Sequence, residues 1–451
     1  MESNDLRDRF EAAGKELVPS AGSVEAVKAR ARQRTVRSRA AAAVAALLVI
    51  IGVAIATTVI IGSDDDSASS AAEEATNTAA VYTSNGLVEA ADFAYVGSFA
   101  APEDPSGVEE FGFGGSAVAY NPAGEGSLFI TGFARNEMVA EISIPQLRAH
   151  EGQSDGLFDA EVIQPFTDIT GGRGSSLIGS SQVGGQDDFR IGGLEVIEGP
   201  DGARLHWTAW QLGNVAVNDV PGHGHSSVDF GSLDVQGPWF LGEFNQYETA
   251  GYLFDVPVGF ADLALDGATV LSGFQISGSA ITSAGPPFYA FSPPDSLAAQ
   301  ERLAVTELAK FERPDESSQS FPEEALFSGG DWITTSDNRN AIALAGNATD
   351  IEPNVTCGFS VEAPVASTGP QIALYDPSDL AEVAAGVRLP SEVEPYEIFS
   401  LEGDVIPTCG EQISGISYDA ENGRLFVVQE RVTSSSTLFD ARPVVHVFSI
   451  R

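Results

Sequence analysis

The sequence predicts an all-β domain of the β-propeller type, with about six blades, preceded by one transmembrane helix and a short helical cytoplasmic tail. Three observations predict it. A 23-residue apolar run lies near the N-terminus, a glycine–strand–turn–strand pattern recurs through the rest of the chain, and both ends of that repeating region read as strand.

The apolar run is Ala40 to Gly62, with no charge, no proline and nothing more polar than threonine. At about 1.5 Å per helical residue it extends roughly 35 Å, enough for a hydrocarbon core of about 30 Å. Residues 1–39 hold nine basic and six acidic residues, and six of the basic ones fall between Lys28 and Arg39. On the far side stand Asp64, Asp65 and Asp66. Basic flanks resist translocation, so the tail is expected in the cytoplasm and the C-terminal bulk outside. A cleaved signal peptide has a shorter leader and an apolar region of about 7–15 residues, so the run reads as an uncleaved signal-anchor of a single-pass protein. Within the tail, residues 4–16 and 23–37 read as helix, broken by Pro19-Ser20-Ala21-Gly22, with Ser23 as N-cap. Residues 63–90 begin with an acidic stretch of small residues that buries too little to order itself, and read as a disordered linker.

The chain carries 64 acidic and 23 basic residues, a net charge of −41. Past Gly62 the balance is 58 acidic to 14 basic, or 14 − 58 = −44. Such a surface repels nucleic acid and anionic lipid, which excludes polyanion binding, and suits a salty medium. Cys357 and Cys409 both fall in the exported part, where a lone pair of cysteines is expected to form a structural disulfide.

From residue 91 to 451 the sequence is built of short alternating segments. The pattern appears at Gly115 (GSAVAYNPAGEGSLFITG), Gly193 (GLEVIEGPDGARLHWTAW), Gly330 (GDWITTSDNRNAIALAG) and Gly415 (GISYDAENGRLFVVQ). The turns at Asn121-Pro122, Pro200-Asp201-Gly202, Asp337-Asn338 and Glu421-Asn422-Gly423 carry hairpin residues. Four similar hairpins point to radial repetition. Further strand runs at Tyr252, Ile276–Ile281, Phe288 and Gln371 bring the count to five or six blades, six preferred. Ser296 to Lys310 reads as a surface helix, although Ala304 to Phe311 also reads as strand. Phe93-AYVGSF and Val444-VHVFSI are placed to close the ring, the first strand joining the last blade.

Several phrases carry a resemblance: Tyr95-VGSF, Phe111-GFGGSAVAYNP with Ser127-LFITG, Val139-AEISIP, Arg190-IGGLEV, Gln371-IALYDPSDL and Ile416-SYDAENGRLFVVQ. Together they resemble an uncharacterised bacterial family of exported or membrane-anchored proteins similar to β-propellers. The resemblance covers most of Phe93 to Ile450 and implies the fold; it implies no activity.

Propellers bind ligands at the central channel, lined from the start of each innermost strand. The repeat puts Arg190, Asp331 and Glu411 there, a set able to hold a polar or carboxylate-bearing ligand or to pair among themselves. His223 and His225, alternate residues of a strand, with Asp229 four residues on, form the densest metal-like cluster. They fall short of a zinc set, since the remaining histidines are scattered. Trp207, Trp210, Trp239 and Trp332 read as core, with a sugar-stacking platform as the alternative. No GxSxG elbow, phosphate cradle or cofactor motif is present. Two functions remain. The preferred one is a tethered ectodomain that binds an extracytoplasmic ligand or protein; the other is an extracytoplasmic hydrolase or lyase, metal-assisted through His223 and His225.

Overall fold

The computed structural model describes residues 84–451 apart from 104–110, 113, 134–137, 174–188, 200, 212–219, 277–282, 295–296, 313–315, 322–324, 351–366, 408–412 and 434–440. The expected tail, apolar run and cysteine pair lie outside the described residues, as does Glu411. No helix among the described residues is long and apolar enough to cross a membrane. The chain divides into two compact units, residues 1–77 and 78–451.

The second unit is a propeller of five sheets. Blade 1 is β2 (Val118–Asn121), β3 (Ser127–Thr131), β4 (Val139–Ser143) and β5 (Val162–Thr167). Blade 2 is β6 (Phe189–Gly199), β7 (Gly202–Gln211), β8 (His223–Ser227) and β9 (Val235–Leu241), with β13 (Arg302–Leu303) added in parallel to β9. Blade 3 is β10 (Tyr252–Asp255), β11 (Val270–Gly273), β12 (Phe288–Phe291) and β14 (Thr306–Ala309). Blade 4 is β15 (Leu326–Thr334), β16 (Asn340–Asp350), β17 (Ser367–Tyr375) and β18 (Glu397–Ser400). Blade 5 is β19 (Ile413–Asp419), β20 (Arg424–Gln429), β21 (Val444–Ile450) and β1 (Phe93–Ala100), which pairs antiparallel with β21 from Phe93–Ile450 to Ala100–Val444. The first strand thus completes the last blade, as the two ends of the sequence indicate.

The count is five, not the expected six. Each of the four glycine-led hairpins is the inner pair of one blade, and the strands read as gap-fillers add one further blade, not two; the expected Ile276–Ile281 strand lies beyond Ile276 outside the described residues. Tyr252 and Phe288 share blade 3, and Gln371 to Tyr375 extend blade 4. Ser296 to Lys310 forms no helix among its described residues; it supplies β13 and β14. Ordered contacts begin ahead of residue 91: Leu87 bridges Asn340, and Val88 is buried.

The core is divided among the five blade interfaces, one apolar cluster in each. Trp332, Ile342 and Tyr375 of blade 4 meet Tyr252, Phe254 and Leu271 of blade 3. Blade 4 meets blade 5 through Ile333, Ile372, Ile416 and Phe448. Phe99, Phe426 and Val447 meet Leu128 and Ile142 between blades 5 and 1, and Phe129 meets Leu194 and Trp207 between blades 1 and 2. Trp239 and Leu241 meet Leu253 and Phe291 between blades 2 and 3. Alternation along each strand serves both faces at once, so strands buried on both sides read as nearly continuous apolar runs.

At the axis the innermost strands β2, β6, β10, β15 and β19 touch in a closed circle. A methyl group on Gly192 would lie 1.8 Å from the Ala250 carbonyl oxygen, and one on Gly329 would lie 2.3 Å from that of Ser414. Those neighbours are backbone and cannot swing aside. The recurring glycines are therefore the points where strands of adjacent blades press together. Polar bonds stitch the same joints. Ser116 Oγ donates to Ile191 O at 3.1 Å, Thr208 Oγ1 to Gly251 O at 2.8 Å, and Ser414 Oγ to Gly115 O. Phe327 N donates to Gln275 O at 3.1 Å. Asn347 clamps the start of β19, donating to Ile413 O at 2.8 Å and accepting from Ile413 N at 3.1 Å.

A buried network fixes the closing strand. Gln429 accepts from Ile406 N and donates to Ile406 O, so its Oε1 also takes a proton donor from His446 Nε2 at 2.9 Å. That leaves His446 Nδ1 as acceptor for Ser98 Oγ at 2.8 Å, and Ser98 in turn accepts from Tyr95. Burial, with His150 nearby, pushes the imidazole down to about 3.

Two outcomes follow from these contacts. Gly192→Ala should destabilise the ring by about 3 kcal/mol or block folding, because it drives a methyl group into backbone. Gly259→Ala, in a short helix (α1, Val258–Ala264) with nothing within 4 Å, should stabilise by about 0.5–1 kcal/mol. Urea unfolding of both variants checks the pair, and equal effects would exclude this account of the glycines. His446 is neutral in the folded chain until about pH 3 but ionises near 6.5 when unfolded. Between those limits acid loads the unfolded state first, and stability falls by about 1.4 kcal/mol per pH unit for this group. Burial raises the carboxyls of Glu195 and Asp331, which work in the opposite sense. The informative quantity is therefore the stability gap between wild type and His446→Gln. It should narrow by about that amount per unit from pH 6 to pH 4; a constant gap would show that His446 is not the group responsible.

Candidate functional site

The central channel is where chemistry-bearing side chains from different blades meet. Its mouth lies at the start of the innermost strands. Arg190, the second residue of β6, stands there directly across the ladder from Trp210. Glu430 and Arg431, which follow the end of β20, reach the same mouth from blade 5. Arg431 Nη2 is 3.7 Å from Glu430 Oε2, and Ser414 lies beside the carboxylate. Burial pushes the Glu430 carboxyl up, and Arg431, Ser414 and Arg190 pull it back. Glu430 carries the opposite charge to Arg190 at this point of the ring.

Farther along the axis lies a second, acidic level. Glu195 and Asp331 each sit two residues past an axial glycine, Gly193 and Gly329, on β6 and β15. Asp255 ends β10, two residues past Leu253, whose backbone nitrogen faces Gly193. The three carboxyls thus occupy matching places on successive blades. Burial raises Glu195 well above the usual carboxylate range, and Asp331 and Asp255 raise it further. Asp331 is raised by burial and by Asp255, against the pull of two backbone donors, Trp332 N at 2.6 Å and Tyr418 N at 2.5 Å. Asp255 is open to water yet hemmed by protein, and burial raises it too. Carboxyls taken from water by burial and set near other acids hold protons more tightly than free ones do.

The sequence placed Arg190, Asp331 and Glu411 together. Arg190 and Asp331 lie at different levels of the innermost strands, and Asp331 is buried, accepting from Trp332 N and Tyr418 N. From Arg190 to Glu195, the blade 2 counterpart of Asp331, is five strand residues, or roughly 16 Å. Arg190 therefore faces Glu430, and Asp331 faces other acids.

His223 and His225 lie on β8, buried between blades 2 and 3. His223 Nε2 donates to Thr249 O at 3.0 Å, and its ring stands edge-on to Phe291. Burial pushes it down to about 4. His225 instead packs on His206, ring centres 4.8 Å apart, and beside Trp239. Asp229 is exposed and occupied in capping a 3-10 turn (Phe230–Ser232), accepting from Gly231 N at 2.9 Å and Ser232 Oγ at 2.7 Å. The three are not brought together, and no group of three or more His, Cys, Asp or Glu among the described residues is arranged to hold a metal ion. His150 and His446 belong to the β1–β21 closure and its neighbourhood.

Sequence reading missed Glu195, Asp255, Glu430 and Arg431. Glu195 carried a signal: counting two residues beyond the recurring Gly193, rather than stopping at it, reaches the acidic level, whereas Asp255 follows no such glycine at that spacing. Glu430 and Arg431 sit past a strand end where no periodicity applies. Of the four tryptophans, Trp207, Trp239 and Trp332 are core and Trp210 is only half-buried. An open cleft elsewhere on blade 2, lined by Arg173, Val235 and Leu297, offers a single charged group, and Arg173 already donates to Gly237 O at 2.7 Å.

No protein-family model and no curated protein matches the chain. Among solved structures it is similar to one described as "putative exo-beta-1,3-galactanase from Bifidobacterium bifidum s17". The match has 12% identity and a TM-score of 0.41, and covers 79% of this chain and 94% of that one.

Proposed function

We propose that the protein is a membrane-tethered extracytoplasmic propeller that binds a polar ligand at the Arg190 mouth of its channel. The observation that carries this reading is the meeting of Arg190, Arg431 and Glu430, from blades 2 and 5, at one end of the axis. Both guanidinium groups stand at this end of the axis, on a chain of net charge −41. A guanidinium fork can hold an anionic group and fix its orientation. The tether is the apolar run 40–62, and its direction follows from the arginines that precede it.

A second reading, an extracytoplasmic hydrolase or lyase, is favoured by the acidic level. A carboxyl kept protonated by burial and by like charges has the property a general acid needs. Glu195, flanked by Asp255 and Asp331, is the group of that kind. Metal assistance through His223 and His225 gains no support, since both are enclosed between blades.

Thermal unfolding of the detergent-solubilised chain with organic acids, amino acids and sugars checks the binding reading. A bound ligand at a hundred times its Kd should add about 2.7 kcal/mol. Arg190→Gln should abolish the gain; a panel that shifts nothing, or a gain that Arg190→Gln leaves intact, would count against this mouth. Protease added to intact cells should remove the C-terminal domain and spare a tag placed before residue 1. A protected domain would reverse the proposed orientation.

A further inference from the structure

The ligand class can be narrowed, and this step rests on the binding reading above. Trp210 stands across from Arg190 at the mouth and is half-buried, whereas the other three tryptophans are enclosed. Tyr247 and Phe274 hold it from the blade 3 side, with ring centres 5.7 and 5.4 Å away and both planes tilted against the indole. Rings that meet an indole at a tilt wedge it in place without stacking flat against it. Tyr247 is itself fixed by donating its hydroxyl to Gln211 O.

Next to each of these two supports in the chain stands a buried glutamine. Gln246, before Tyr247, accepts from Gln211 N at 2.9 Å, but its Nε2 has no partner. Gln275, after Phe274, has neither amide atom paired, at 1% exposure. Its backbone bridges to Phe327 at the start of β15, which puts it at the mouth end of blade 3. Buried amides left without partners are costly and rare, so two beside one aromatic cluster require an explanation. Gln275 offers a donor and an acceptor together. A carboxylate satisfies only the donor and a guanidinium only the acceptor; a hydroxyl, or a water it holds in place, satisfies both.

We infer that the mouth takes a saccharide. The C–H face of a sugar ring packs on Trp210, and its hydroxyls, through an ordered water, complete the amides of Gln246 and Gln275. Arg190 stands where a carboxylate on such a ring would be recognised.

The test is a glycan array of neutral and uronate-containing oligosaccharides, probed with the labelled full chain in nanodiscs, with citrate and glutamate titrated separately. Saccharide binding is expected, reduced at least tenfold by Trp210→Ala and substantially restored in Trp210→Phe. Gln275→Leu is expected to weaken binding about tenfold while leaving the unfolding midpoint equal or higher, because it removes an unpaired amide; a merely structural glutamine would lower the midpoint instead. An array with no signal overturns the inference, as does saccharide binding that Trp210→Ala and Gln275→Leu leave unchanged. Citrate or glutamate binding that depends on Arg190, with no saccharide bound, would overturn this inference while preserving the ligand-binding reading.

Discussion

Everything in this ring is set by how closely five innermost strands approach around one axis. With fewer blades than the sequence led one to expect, each strand turns through a larger angle to meet the next, and the strands converge until backbone touches backbone. At Gly192 and Gly329 there is no room for a single methyl group. The repeat glycines therefore answer to packing between blades; the hairpin turns are made by other residues, such as Gly202 and Asn338 with their positive φ.

The same crowding explains the electrostatics. Burial raises all three carboxyls of the acidic level; Asp331 and Asp255 add to the rise of Glu195, and Asp255 adds to that of Asp331. At the mouth, Arg190 and Arg431 stand beside Glu430 and hold its carboxyl back against the rise that burial causes. Alongside its apolar cluster the blade 2–3 interface holds His206, Thr208, His223 and His225 in burial.

Much of this could be read from residues alone, and the limits have physical reasons. The four glycine-led hairpins are legible because close approach leaves one local mark, a residue without a side chain, at a fixed place in every blade. The ring closure is legible because both terminal strands alternate. Blade number is not, since blade 3 begins with no such hairpin and its second strand, Val270–Gly273, is only four residues long. The histidine pair looked like a chelating set because alternation puts His223 and His225 on one face. What alternation cannot report is that this face is covered by blade 3. Arg190 and Asp331 fall at different levels of the innermost strands, and depth along an axis has no counterpart in local pattern.

The antiparallel ladder between β1 and β21 joins residue 93 to residue 450. Synthesis delivers these partners first and last, with every other blade made in between. The opening strand must wait, its edge unsatisfied, until the final seven residues have emerged, and only then does the circle acquire its last neighbour. Folding of the whole ring is thereby deferred to the end of the chain. A propeller that lost β21 would lose much more than its tip: it would keep four whole sheets and one partial one, with its first strand left unpaired.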